Sequence, residues 1–277
     1  MRVLVAGAGY VGAQLVRLLA DAGHEVLALR RSPQAAADSR VRWLACDLAD
    51  ARALAALPLA GVEALAYLVA ADARDEAAYQ RAYVDGLASL LARLRAESAL
   101  KRVLFASSTS VYAQDDGSWV DESSPTEPLD FPGQRVLEGE GVARGAGCTA
   151  IALRLGGIYG PGRTALLERV RRGGARLPSA PHFTNRIHRD DAARACAHLL
   201  ALPAPASCYV GVDCEPADQA DVMRWIAARA GAQPPRGAYD ASGAPSGKRC
   251  SSARLRASGF TFTHPSYREG YSALLSQ

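Results

Sequence analysis

A short apolar run, Val3-Leu4-Val5-Ala6, leads directly into Gly7-Ala8-Gly9-Tyr10-Val11-Gly12 and then into apolar residues at helical spacing, Leu15, Val16, Leu18 and Leu19. That order predicts a strand, a glycine turn and a helix. Gly7 suits the tight turn, Gly9 leaves the backbone bare for a pyrophosphate, and Gly12 permits close packing of helix on strand. Tyr10 and Val11 fall at the helix entry, whose amides face the phosphates. A G-x-G-x-x-G pattern alone is weak. Its position at the end of an apolar strand, ahead of further alternating strands and helices, makes it a dinucleotide-binding turn.

The second strand pattern, Glu25-Val26-Leu27-Ala28-Leu29, decides which dinucleotide is expected. An NAD site would place an acid about 20 residues beyond the glycines to hold the ribose 2′-hydroxyl. This chain has Arg30-Arg31-Ser32 there. Two guanidiniums and a hydroxyl suit a 2′-phosphate, so NADP(H) is expected ahead of NAD(H).

Downstream, strand patterns at Val41–Cys46, Val62–Val69, Arg102–Ala106 and Thr149–Leu153 alternate with helical ones near Asp50–Leu57, Glu76–Ser98 and Gln134–Arg144. Alternation of this kind builds a parallel sheet with helices on both faces, an α/β, Rossmann-type doubly wound fold. Residues 1–155 are predicted as the dinucleotide-binding domain, with one more sheet strand near 208–212. Beyond Arg154 glycine and proline become dense and elements shorten, with helices near Asp190–Leu202 and Gln219–Ala230. Residues 156–277 are predicted as a smaller, interleaved substrate-covering domain. With 277 residues, 49% of them hydrophobic, the chain has ample core material. Its net charge of +4 is spread without basic runs, which argues against a nucleic-acid groove and fits an anionic small molecule. No apolar stretch is long enough to span a bilayer and no signal peptide is read, so the expectation is a cytoplasmic protein without a membrane partner. The six cysteines show no metal-ligand spacing; neither a metal nor a disulfide is expected.

Ser107-Ser108-Thr109-Ser110-Val111-Tyr112 resembles the corresponding stretch of extended short-chain dehydrogenases/reductases of the NAD-dependent epimerase/dehydratase family. Asp47-Leu48, Arg154–Gly162, His188–Asp191 and Arg254–Gly259 resemble further segments of it. The resemblance implies that Asp47 and Leu48 flank the adenine and that Ala70 and Ala71 line the cofactor bridge. It places Ser107 at the cofactor, Gly156-Gly157 near the nicotinamide, and Ser108 on the substrate oxygen, with Thr109 beside it. The family also carries a Tyr-x-x-x-Lys on the following helix, tyrosine as acid-base and lysine lowering its pKa. Here there is no tyrosine between Tyr112 and Tyr159, and the only lysines are Lys101 and Lys248. Spacing from Ser108 sets Phe131 and Arg135 over the motif. Phenylalanine has no proton to exchange, and arginine stays charged while still able to contact a ribose.

Two other groups stand as proton donors: Tyr112, the phenol nearest Ser108 in sequence, and His188, of the side-chain type that titrates near neutrality. Pro132-Gly133 argues that Phe131 precedes the helix and points elsewhere. Asp190 and Asp191 read as helix N-terminal acids. Arg163, Asn185, Arg186 and Arg249 fall where the resemblance puts substrate contacts, for a ligand such as a nucleotide sugar. Two functions remain open. One is an atypical NADP(H)-dependent reductase or epimerase-like enzyme acting on an anionic or sugar-like molecule; the other is a dinucleotide-binding sensor or scaffold without turnover. The resemblance further implies a homodimer through the two long helical segments.

Overall fold

The computed structural model describes residues 1–32, 38–97 and 99–276; Ser98, the end of the helical segment expected from Glu76, lies outside them. From the N terminus come β1 (Arg2–Ala6), α1 (Gly12–Asp21), β2 (Glu25–Arg30), β3 (Val41–Ala45), α2 (Ala51–Ala55) and β4 (Ala64–Tyr67). Next are α3 (Glu76–Tyr79), a π-helical turn over Gln80–Asp85, α4 (Gly86–Glu97), β5 (Arg102–Ser108) and a 3-10 turn over Thr109–Val111. Then follow β6 (Trp119–Val120), α5 (Phe131–Arg144), β7 (Thr149–Leu155), β8 (Gly157–Tyr159), α6 (Ala165–Arg171), β9 (His182–Thr184) and β10 (Arg186–His188). The remainder is α7 (Arg189–Ala201), β11 (Cys208–Gly211), β12 (Ala217–Asp218), α8 (Gln219–Ala230), β13 (Ser246–Gly247), β14 (Arg249–Cys250), α9 (Ala253–Ala257) and α10 (Tyr267–Leu275).

Seven strands form a parallel sheet in the order β11-β7-β5-β4-β1-β2-β3. β1, β2 and β4 are almost wholly apolar because helices cover both faces, and Val3, Leu4, Val5, Val26, Leu27 and Leu65 are fully buried. Each such side chain contributes roughly 1.5–3 kcal/mol of transfer free energy. The strand order reverses between β1 and β4. In open α/β sheets the crevice at the carboxyl ends of the strands at this reversal is where ligands bind.

The chain forms two compact units. The first comprises Met1–Val111, Thr126–Arg154 and Ala193–Tyr209; the second comprises Tyr112–Pro125, Leu155–Ala192 and Val210–Gln277. Tyr112–Pro125 joins the second unit because β6 pairs with β14, Trp119 opposite Arg249 and Val120 opposite Cys250. The second unit has its own core, in which Tyr159, Leu167, Val170, Val222, Ile226, Tyr267 and Tyr271 are buried. Among the described residues no helix is long and apolar enough to cross a membrane.

Two local expectations are corrected. α5 starts at Phe131, three residues before Gln134, because Asp130 caps it: the Asp130 carboxylate accepts the Gly133 amide at 3.1 Å. Pro132 sits in the first turn, where a helix needs no amide donor, so it opens the helix instead of excluding Phe131 from it. His188 ends β10, paired with Tyr159 of β8.

Candidate active site

The turn after β1 is built as its glycines predict. Gly7 has φ +87°, and a Cβ there would collide with the backbone of Leu68 just beyond β4; one on Gly12 would collide with the Gly7 carbonyl. Gly9 differs. The protein atom nearest to a Cβ on it is the Gly7 carbonyl oxygen, 4.0 Å away, so protein packing does not account for the missing side chain. No side chain caps α1, whose N-cap position is Val11, and no acid lies in its first turn. Bare backbone, uncapped amides and the absence of negative charge together fit a pyrophosphate at Gly9, Tyr10 and Val11.

The amides of Gly7 and Ala8 both donate to the Leu29 carbonyl at 3.0 Å, which fixes the turn beside Arg30 at the end of β2. Arg31 is paired with Asp72 at 2.7 Å, and this guanidinium holds the Asp72 carboxyl below its usual range. Arg30, half-buried, forms no ion pair among the described residues, and Ser32 beside it is exposed. Beyond β3, the exposed Asp47 accepts the Ala49 amide at 3.0 Å, and Leu48 is half-buried next to it. Beyond β4, Ala70 is exposed and Ala71 half-buried. The carboxyl ends of β1, β2, β3 and β4 thus carry every residue that the resemblance assigns to the adenosine and the bridge.

At the end of β5 two adjacent serines diverge because side chains alternate along a strand. The Ser107 hydroxyl turns into the protein and donates to Glu140 at 2.6 Å. Its hydroxyl is thereby committed to Glu140. Glu140, on α5, is gripped by both Nε and Nη2 of Arg154 at 2.8 and 2.9 Å, a buried fork beneath the strand end. Ser108 is half-buried, and its oxygen accepts the Ser110 amide at 3.1 Å through the tight Thr109–Val111 turn. α5 approaches this turn closely because Gly133 has no side chain; a Cβ would lie 2.5 Å from the Ser110 carbonyl.

Along α5, Phe131 presents an edge to the Tyr79 ring at 5.4 Å. Tyr79 in turn lies 5.3 Å from Tyr83, and Tyr83 meets Phe105 edge-on at 6.4 Å. Arg135, one turn after Phe131, donates to Gln80 at 2.8 Å and pairs with Glu138 at 2.6 Å. Sequence reasoning passed over Tyr79 and Tyr83, which at a spacing of four read as the apolar face of a helix. The available signal was their aromatic spacing in the segment that packs on the helix without a tyrosine. Glu140 was missed because its partner Arg154 is distant in pattern, on the next strand.

The second unit treats several predicted site residues as struts. Tyr112 is buried, and its phenol donates to the Asp121 carbonyl at 2.7 Å. His188 is buried between Tyr159, edge-on at 5.5 Å, and His264 at 3.9 Å, and its Nδ1 accepts the Asp190 amide at 3.3 Å. Burial, reinforced by His264, lowers its pKa against the opposing pull of Asp190 and Asp191. Asp190 and Asp191 lie in the first turn of α7, and Asp191, fully buried, also accepts the amides of Thr263 and His264 at 2.9 and 2.7 Å. Asn185 spends its side chain on the Lys248 carbonyl and the Cys250 amide, at 2.8 and 2.7 Å. Arg186 is buried and donates to the Thr184 hydroxyl. Gly157 is a pairing position, its amide donating to the Asn185 carbonyl at 2.9 Å. Arg163 is exposed after the Gly160–Gly162 turn, and the Arg249 guanidinium stacks on Phe183, 3.7 Å from the ring centre.

Residues 3–208 match the model of the NAD dependent epimerase/dehydratase family. The chain belongs to this family. A 2-alkyl-3-oxoalkanoate reductase of Stenotrophomonas maltophilia (strain K279a) is 32% identical over 230 residues, 74% of this chain and 66% of that protein's length. The chain therefore matches slightly less than two thirds of that relative. A solved structure from Methylobacillus flagellatus, classed as an NAD-dependent epimerase/dehydratase, is 37% identical with a TM-score of 0.86, covering 99% of this chain and 97% of its own. The human epimerase family protein SDR39U1 (isoform 2), solved with NADPH, shares the fold: TM-score 0.81 at 21% identity, covering 100% of this chain and 99% of its own. The epimerase/dehydratase assignment accounts for the seven-strand parallel sheet and its glycine turn.

Proposed function

We propose that this member of the epimerase/dehydratase family is an NADP(H)-dependent reductase acting on a carbonyl of an anionic small molecule. The observation that carries the reading is the open backbone at Gly9, at the strand-order reversal, with Arg30, which forms no ion pair among the described residues, at the neighbouring strand end. The turn Gly7–Gly12 would hold the pyrophosphate and Arg30, with Arg31 and Ser32, the 2′-phosphate; Asp47 and Leu48 flank the adenine and Ala70-Ala71 the bridge. When bound, the reduced nicotinamide supplies a hydride. Ser108 orients the reacting oxygen: its oxygen accepts the Ser110 amide and its hydroxyl hydrogen is left to donate. Support for a carbonyl on an acid comes from the Stenotrophomonas reductase, whose name is that of a keto-acid reductase. NADPH in the human fold relative is consistent with Arg30.

A non-catalytic sensor is the second reading, favoured by the ring of Phe131, which has no proton to offer. Titration calorimetry with NADPH and NADH, in the wild type and in Arg30→Asp, tests the cofactor. Loss of a charge-assisted contact of about 1.5–3 kcal/mol corresponds to roughly 10–150-fold weaker NADPH binding in the variant. Equal wild-type affinities for the two cofactors refute the NADP(H) assignment. NADPH consumption over panels of keto acids, simple ketones and nucleotide sugars then separates the functions, and tight binding without turnover on any panel establishes the sensor.

A further inference from the structure

We propose that Arg249 and Trp119 form a receptor for a carboxylate carried on an apolar chain, and that such an acid is the anionic molecule on which the reductase acts. The second half of this statement rests on the reductase reading above. The receptor itself is made by the second unit alone.

Its frame is a pair of short strands. β6 and β14 run parallel, with Trp119 opposite Arg249 and Val120 opposite Cys250. Val120 and Cys250 are buried, and side chains alternate along a strand, so Trp119 and Arg249 share the outward face. The Arg249 amide on the Ser118 carbonyl at 2.8 Å and the Ser251 amide on the Val120 carbonyl at 2.9 Å hold the two strands in register. The floor comes from β9. Phe183 lies between β12 and β13, opposite Asp218 on one side and Gly247 on the other. Gly247, at φ +72°, passes so close that a Cβ on it would collide with the Phe183 carbonyl. Gly117, whose amide donates to the Gly247 carbonyl at 2.8 Å, leaves the edge of the Phe183 ring clear.

Over this ring sits the Arg249 guanidinium, its central carbon 3.7 Å from the ring centre. The aromatic face covers one side of the planar head and leaves the N–H donors around its rim. Among the described residues the half-buried head of Arg249 makes no hydrogen bond and no ion pair. The charges next to it in sequence are already engaged. Asp115 accepts the Gly247 amide at 2.6 Å, and Asp116 accepts the Ser118 amide at 3.0 Å. The Lys248 ammonium donates to the Tyr112 carbonyl at 2.6 Å. Arg249 is thus a guanidinium fixed by stacking, with its fork unspent. Two parallel donors match the two oxygens of a carboxylate. One such head balances a single negative charge, whereas a phosphate group carries nearly two.

Trp119 supplies the rest of the chemistry. It is 60% exposed, although tryptophan is on average a well-buried residue. Arg249, in register with it, turns to Phe183 instead, and the indole makes no ring contact among the described residues. An acid seated on the fork therefore has an apolar surface beside it for its chain, and covering that surface is favourable in proportion to the area removed from water.

Calorimetry with straight-chain acids from butyrate to decanoate tests the receptor, with 1-octanol and octyl phosphate as controls. Affinity should rise with chain length, and 1-octanol should bind about 10-fold or more weakly than octanoate, having the chain without the charge. Arg249→Met, which keeps an apolar side chain on Phe183, should weaken octanoate by about 10-fold or more. Should it misfold, Arg249→Lys keeps the charge but loses the fork and should also weaken octanoate. Trp119→Ala should flatten the dependence on chain length. With NADPH, Arg249→Met should raise KM for keto acids more than it lowers kcat. No octanoate binding by the wild type, unchanged octanoate affinity in the folded Arg249 variants, an unchanged chain-length dependence in Trp119→Ala, or octyl phosphate binding more tightly than octanoate each overturns the receptor. An unchanged KM for keto acids in Arg249→Met overturns its identification with the substrate. Acid binding by a protein that binds no dinucleotide overturns the reductase reading and upholds the receptor.

Discussion

Replacing Glu140 by leucine should be among the most damaging single changes in this protein, and replacing Arg154 as well should largely undo the damage. The Glu140 and Arg154 side chains are 1% and 8% exposed and joined by two hydrogen bonds of 2.8 and 2.9 Å, with the Ser107 hydroxyl on the same carboxylate. Glu140→Leu alone strands a buried guanidinium, and removing one partner of such a pair costs about 3–5 kcal/mol. For a chain of this size that is a fall in Tm of roughly 6–20 °C. Glu140→Leu with Arg154→Met removes both charges and keeps the volume, and exchanges of this kind are often neutral or stabilising by about 1–4 kcal/mol. Denaturant unfolding of the wild type, both single variants and the double variant closes the cycle. Coupling of about 3 kcal/mol or more is expected from the same figures. A double variant whose loss equals the two single losses added together would refute the reasoning, because the pair would then not be acting as one desolvated unit.

Gly9→Ala and Gly7→Ala should separate binding from folding. The first adds a methyl in open space and should weaken dinucleotide binding without moving Tm, whereas the second forces a Cβ into Leu68 at positive φ and should lower Tm; calorimetry beside thermal melts reads both, and a Tm loss in Gly9→Ala contradicts the assignment of that space to a ligand. In the second unit, burial pushes the Asp213 carboxyl up to about 7, so the native state keeps a proton that the unfolded chain releases above about pH 4. That stabilisation is complete at low pH and is lost as the pH rises toward 7. Asp213→Asn should therefore gain Tm relative to the wild type between about pH 5 and pH 8; an advantage that does not change with pH contradicts the raised value.

The amino-acid sequence determined the sheet, the glycine turn and the basic end of β2, because these rest on short-range rules. A buried parallel strand must be apolar throughout, a turn at positive φ must be glycine, and a residue twenty positions past the turn falls at the next strand end. For the same reason Asp218 and Gly231 mark the limits of α8, which runs from Gln219 to Ala230. Tertiary packing alone decided the chemistry of the side chains around the strand ends. Whether Ser107 meets a cofactor or Glu140, and whether Asn185 is a ligand or a strut for Lys248 and Cys250, depends on which distant segment arrives at the other side. Pro132 showed the limit of local rules, since the same residue breaks a helix interior and opens a helix end, and only the Asp130 cap distinguished the two. Tyr83 was out of reach for a further reason. It sits in a π turn that depends on Tyr67, Gly86 and Gly139, three residues from three different elements, and no periodicity within one segment encodes that meeting.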